Sequence, residues 1–134
     1  MKMNTLEWDE TDFVWLLETS PHVEDYDTEY NFKVLKDNLK LSVTVWQYES
    51  TVSIELYEDA ATDPTVAFAL IVREGIRLVK EKKQEYLHFR NCFLAPTRFS
   101  YIDYEVNLKD VEKVPFGFDV HLFVKPAIQI KFWS

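Results

Sequence analysis

The chain is poor in the residues that most often give a function away. It holds two glycines and one cysteine in 134 residues. So few glycines exclude a collagen-like chain, a phosphate-cradling loop and a dinucleotide fingerprint, each of which needs glycine where a side chain would collide. One cysteine cannot close an internal disulfide, which fits a reducing, cytoplasmic setting. The longest apolar run, Val66 to Val72, falls far short of the roughly 20 residues a membrane-spanning helix needs. The N-terminus lacks the basic-then-apolar pattern of an export signal. Internal repeats, low-complexity tracts and linker-like stretches are missing too. The expectation is a single globular domain over residues 1–134 with no membrane partner.

What is present points to a packed protein. Hydrophobic residues make up 47% and aromatics 16%, enough apolar surface to exclude disorder. The net charge of −8 is unevenly spread. Residues 1–65 carry four basic and fifteen acidic side chains, residues 66–98 seven basic and three acidic, and residues 99–134 four and five. An acidic half repels phosphate backbones and anionic membranes and favours a basic partner. The basic stretch (Arg73, Arg77, Lys80, Lys82, Lys83, Arg90, Arg98) is diluted by Leu, Val and Glu, so no nucleic acid is expected as a ligand.

The pattern of apolar residues supplies the fold class. Asp9 or Thr11 caps a short helix whose Phe13, Leu16 and Leu17 share one side, and Ser20-Pro21 ends it. From Thr28 the period becomes two. With Asp37-Asn38 as a two-residue turn, Val34 meets Leu41, Phe32 meets Val43 and Tyr30 meets Val45, while the polar residues meet on the other face. With Glu49-Ser50 as the next turn, Val45 meets Ile54, Val43 meets Leu56 and Gln47 meets Val52. Residues 28–57 therefore read as a three-stranded antiparallel meander. A hairpin over Val66–Arg73 and Ile76–Lys82 turning at Glu74-Gly75 would set Leu70 opposite Val79 and Ile71 opposite Leu78. Helix formers around Arg77–Tyr86 leave an α+β alternative if residues 64–84 are helical, but the β-branched residues there favour strands. Further strands are expected at Glu85–Phe93, Phe99–Val106, Phe118–Val124 and Ala127–Trp133. The sum is an all-β fold: an antiparallel β-sandwich or flattened barrel of about eight to nine strands with one short N-terminal helix.

Candidate chemistry is sparse. His88 and Cys92 share a face of an extended strand but lie about 13 Å apart, too far to work together; Cys92 and His121 are left as a pairing that only the fold decides. His22 beside Glu24, Asp25 and Asp27 lacks the spacing of a calcium or zinc site and reads as a solvated acidic loop. No metal, cofactor or catalytic motif is assigned.

The more informative feature is the outer face of the meander. Trp46 is expected opposite Glu29 on one side and Ser53 on the other, with Tyr57 on the same face opposite Ser42. Glu55, Tyr48 and Tyr26 extend this set of aromatics ringed by acids. Either the N-terminal helix, with Trp8 and Trp15, packs over these rings, or they anchor a partner. The reading is a non-catalytic cytoplasmic interaction protein that uses Trp46, Tyr57, Glu29, Glu55, Tyr48 and Tyr26 for a basic protein partner or a homodimer. By analogy, an immunity-type inhibitor that masks a basic partner would suit the charge. The alternatives are a β-barrel that encloses a small apolar ligand and an enzyme whose residues are scattered in the sequence.

Overall fold

The structure is a computed structural model that describes residues 5–95 and 117–134. The strand expected at Phe99–Val106 lies outside the described residues. Helix α1 (Glu10–Leu17) is followed by β1 (His22–Val23), β2 (Tyr30–Lys36), β3 (Leu39–Trp46), β4 (Thr51–Glu58), β5 (Val66–Val72), β6 (Ile76–Glu81), β7 (Gln84–Leu94), β8 (Phe118–Phe123) and β9 (Gln129–Trp133). These strands form one antiparallel sheet in the order β1-β2-β3-β4-β5-β7-β8-β9, with β6 paired to β7 beside β5. The all-β fold with a short N-terminal helix is what the chain adopts, and residues 64–84 are not helical. Among the described residues the sheet is single and does not close.

Local chemistry explains the elements. The Asp9 carboxylate accepts the Thr11 N–H at 2.8 Å, which caps α1. Glu18 adopts a left-handed φ of 55° and ends the helix before Ser20-Pro21 is reached. Asp37 and Asn38 both take positive φ, 53° and 64°, as a tight hairpin turn of this hand requires. The β2–β3 register is the one expected from the sequence, with Val34 opposite Leu41 and Tyr30 opposite Val45.

Two registers differ from expectation. In the β3–β4 pair Val45 meets Val52, Val43 meets Ile54 and Leu41 meets Leu56, a slip of two residues. The turn is longer because Gln47 leaves the ladder. Its carbonyl accepts the Leu6 N–H at 2.7 Å, its amide donates to the Asp27 carbonyl at 2.7 Å, and its amide oxygen accepts Trp8 Nε1 at 3.1 Å. A slip of two preserves which face is apolar, so the core is unchanged. The second correction is larger. β5 and β6 do not form a hairpin with each other; both run along the same side of β7, with Leu70 opposite Leu94, Ile71 opposite Phe93, Leu78 opposite Leu87 and Val79 opposite Tyr86. Residues 73–75 continue this pairing, since Arg73 N–H reaches the Asn91 carbonyl, Glu74 N–H the Arg90 carbonyl, and Arg90 N–H the Gly75 carbonyl. Gly75 marks a bend in one long strand rather than a reversal. Its φ is +90°, and a Cβ there would sit 2.8 Å from the Glu7 carbonyl oxygen, so only glycine fits without strain. The reversal comes at Lys82-Lys83, between Glu81 and Gln84.

The core shows how the sheet bends. Phe13 of α1 lies 5.2 Å (ring centroids) from Phe32 on β2 and 6.2 Å from Phe89 on β7. In a flat sheet, four strand spacings would put β2 and β7 about 19 Å apart. The sheet therefore curls, and α1 lies in the concavity with Phe13, Leu16 and Leu17 buried against Leu41, Val43, Ile54, Leu87 and Leu122.

Candidate functional site

The expected aromatic and acidic residues fall into two places. Trp46 and Glu29 meet as expected: Trp46 Nε1 donates to Glu29 Oε1 at 2.8 Å, and the indole is half-buried. Across β4, however, Trp46 faces Thr51 rather than Ser53, and Tyr57 faces Lys40 rather than Ser42. Lys40 and Trp46 are six residues apart on β3, about 20 Å along the strand. Tyr57 and Glu55 thus sit at the far end. There the Tyr57 hydroxyl donates to Glu55 Oε2 at 3.0 Å, and Lys40 Nζ lies 4.3 Å from the ring centre. Burial, and then the Glu55 carboxylate, hold the Tyr57 hydroxyl above the usual phenol range.

Tyr26 and Tyr48 join the Trp46 end. The turn Asp25–Asp27 and the turn Gln47–Glu49 are tied by the bond from the Gln47 amide to the Asp27 carbonyl. Tyr26 is 91% exposed and Tyr48 53%. Tyr30, just inside, has its hydroxyl raised by burial and then by the nearby Asp27 and Glu10, so the start of α1 contributes charge to the same end. Residues 5–32 and 47–50 together contain ten Asp and Glu and no Lys or Arg. Of these, Glu18 pairs with Lys125 at the far end of α1, whereas Asp25, Asp27, Glu29 and Glu49 lie on the same turns and strand end as the aromatic pair and the tryptophan behind them.

The middle of the outer face is different from what alternation suggests. Ser42, Thr44, Thr51 and Ser53 are buried, as are Ala69 and Ile71 beside them. The Asn31 amide donates to Ser42 Oγ at 3.0 Å and Thr44 Oγ1 at 2.8 Å, so these hydroxyls are satisfied away from water. Helix α1 is not their cover, because it packs on the opposite, concave face. There Trp8 lies against Phe13 and Tyr30, and Trp15 stacks on Lys80 at 3.9 Å and donates to Glu85 Oε2 at 2.7 Å.

A second cluster, on the outer face of β7 and β8, carried no signal in the sequence. His88 and His121 are cross-strand partners with ring centres 4.6 Å apart. His88 Nε2 lies 2.7 Å from Asp119 Oδ2, and Asp119 Oδ1 accepts the Asn91 N–H at 2.9 Å. Burial works against the Asp119 charge, but those two bonds outweigh it and hold the carboxyl below its ordinary range. Burial and then the neighbouring His88 push His121 below the usual histidine range. Finding this cluster requires the β7–β8 register and its bulge, with Asn91 at φ 55°. The bulge also answers the question left open for Cys92. It turns Cys92 into the core, opposite Phe118 and on the other face from His121 and His88, where burial pushes the thiol up. His22 pairs with Glu24 at 3.2 Å on the exposed edge. Among the described residues no group of three or more His, Cys, Asp or Glu is placed to hold a metal ion, and no helix is long and apolar enough to cross a membrane.

No protein-family model and no curated protein matches the chain. Its fold does have a solved counterpart. A chain of the contact-dependent growth inhibition toxin–immunity protein complex from Klebsiella pneumoniae 342 is similar at a TM-score of 0.64, with 96% of each chain covered and 8% sequence identity. At that identity the likeness shows a shared fold.

Proposed function

We propose that this chain is a non-catalytic, cytoplasmic interaction domain whose acidic, aromatic-bearing end docks on and masks a basic protein partner. The observation that carries the reading is the gathering of Tyr26, Tyr48 and the Trp46–Glu29 pair at one end of the sheet, on segments that also carry Asp25, Asp27 and Glu49. Exposed tyrosines bring large contact area at small entropic cost, and a tryptophan braced from behind is the kind of anchor that dominates interface energetics. One-signed charge around them speeds encounter with a basic surface and rejects acidic ones. The fold likeness to a chain from a toxin–immunity protein complex supports a protein partner. The lone buried Cys92 fits a reducing compartment. Against a barrel-type ligand site, the concavity is occupied by Phe13, Leu16 and Leu17.

The test is a tagged capture from lysate of the source cells, eluted with a salt gradient and read by mass spectrometry. A stoichiometric basic protein is expected, released at moderate salt. The Tyr26→Ala/Tyr48→Ala double variant should lower its recovery at least tenfold. Tyr57→Phe, about 20 Å away along the sheet, should leave recovery unchanged. Equal recovery with the double variant, or an acidic partner, would sink the proposal.

A further inference from the structure

The cluster on β7 and β8 lies next to the edge of the sheet, and its geometry implies a response to acid. β9 has one neighbour, β8, among the described residues, whereas β8 is held on both sides. On β9, Lys131 is the direct cross-strand partner of His121, and Lys131 Nζ is held 4.9 Å over the Phe123 ring. Trp133, on the same face, lies 5.6 Å from His121. From β7, Tyr86 stacks on His121 at 4.4 Å and His88 approaches at 4.6 Å.

We propose that the His88–His121 pair makes the docking of edge strand β9 acid-sensitive. A proton on His121 sets a cation against Lys131 directly across the ladder, and β9, which pairs among the described residues with β8 alone, gives way before β8 does. Charges of like sign on directly opposite residues destabilise a strand pair, and edge elements open at lower cost than central ones. Burial opposes the proton most strongly and His88 on β7 next; Asp119 on β8 and Glu81 on β6 attract it, and Lys131 on β9 adds a smaller repulsion. Asp119 is already engaged on both oxygens, one lying beside His88 and the other accepting the Asn91 N–H. Burial and the repelling groups prevail, so the protonated cluster is the strained one, and Lys131, paired directly with His121, carries part of that strain onto β9.

The experiment is amide hydrogen exchange of the full chain by NMR at pH 7.5 and pH 5.0, with rates corrected for intrinsic pH dependence. Protection of the β9 amides should fall roughly two- to five-fold at the lower pH relative to those of β3. His121→Gln, which cannot take the charge, should abolish that difference, and Lys131→Gln should reduce it. Lys131 is exposed, so its variant is read even if His121→Gln folds poorly. The proposal is overturned if β9 keeps its protection at pH 5.0, or if His121→Gln loses it to the same extent as the parent chain.

Discussion

Single residues set the pH dependence of this protein's stability. Asp119 is held below its ordinary range in the fold, so its stabilising contribution is complete above about pH 4 and disappears as pH falls through the folded value. His121 is also lowered, but here the favoured form is neutral. Its contribution is complete above the ordinary histidine value and is lost as pH drops below it. Acidification should therefore weaken the fold in two stages, the histidine stage first. Asp119→Asn keeps an acceptor for the Asn91 N–H but removes the charge beside His88. Because Asp119 is 40% exposed, screening limits the loss to roughly 0.5–1 kcal/mol at pH 7. Urea denaturation at pH 7, 5 and 3 checks this. The variant should show the histidine stage and a weakened carboxylate stage, since Glu18 is also held below its ordinary range by Lys125.

At the scale of elements, turns and bulges determine which side chains meet. The β2–β3 hairpin was legible because Asp37-Asn38 is one of the few pairs that tolerate two positive φ values, and only one register matched the apolar faces. Asn38→Gly would relieve the remaining strain at φ 64° and should stabilise the protein by about 0.5 kcal/mol. A rise of a few degrees in Tm by calorimetry is expected; a fall would mean that the Asn38 side chain contributes something the backbone does not. The next turn departs by two residues from the register its sequence implies, since the three bonds that draw Gln47 out of the ladder reach Leu6, Trp8 and Asp27, all distant in sequence. The β5–β6 bend is hidden from the sequence for a related reason. Glu74-Gly75 is an ordinary reversal signal, and only the bonds to Asn91 and Arg90 show that the strand carries straight on.

For the whole molecule, curvature is the property that matters. Phe13 is fully buried and touches strands that the sheet order keeps far apart. Phe13→Ala should cost about 3–5 kcal/mol by removing the ring and leaving a cavity. It should also raise hydrogen exchange in both β2 and β7, where an ordinary core truncation would affect one neighbourhood. Loss confined to one of these strands would show that α1 does not brace the two arms of the curl. The same curvature separates the charges: the acidic strands up to β4 form one arm and the basic segment from β5 to β7 lies in the other.

Composition and periodicity by themselves determined the all-β class, the capped helix, the apolar face of the meander and the acidic character of its N-terminal half. These are local or pairwise properties, settled by turn chemistry and by matching faces two residues at a time. Which outer-face residues gather, and which are parted, was decided by tertiary structure. Trp46 and Tyr57 belong to one face by parity, but the length of β3 keeps them apart, while the Gln47–Asp27 bond brings Tyr26 and Tyr48 to Trp46. The His88, Asp119 and His121 cluster depends on a bulge and on a strand about thirty residues downstream. No short-range pattern encodes such a meeting, because it is fixed by where the backbone can satisfy its hydrogen bonds once the sheet has curled around α1.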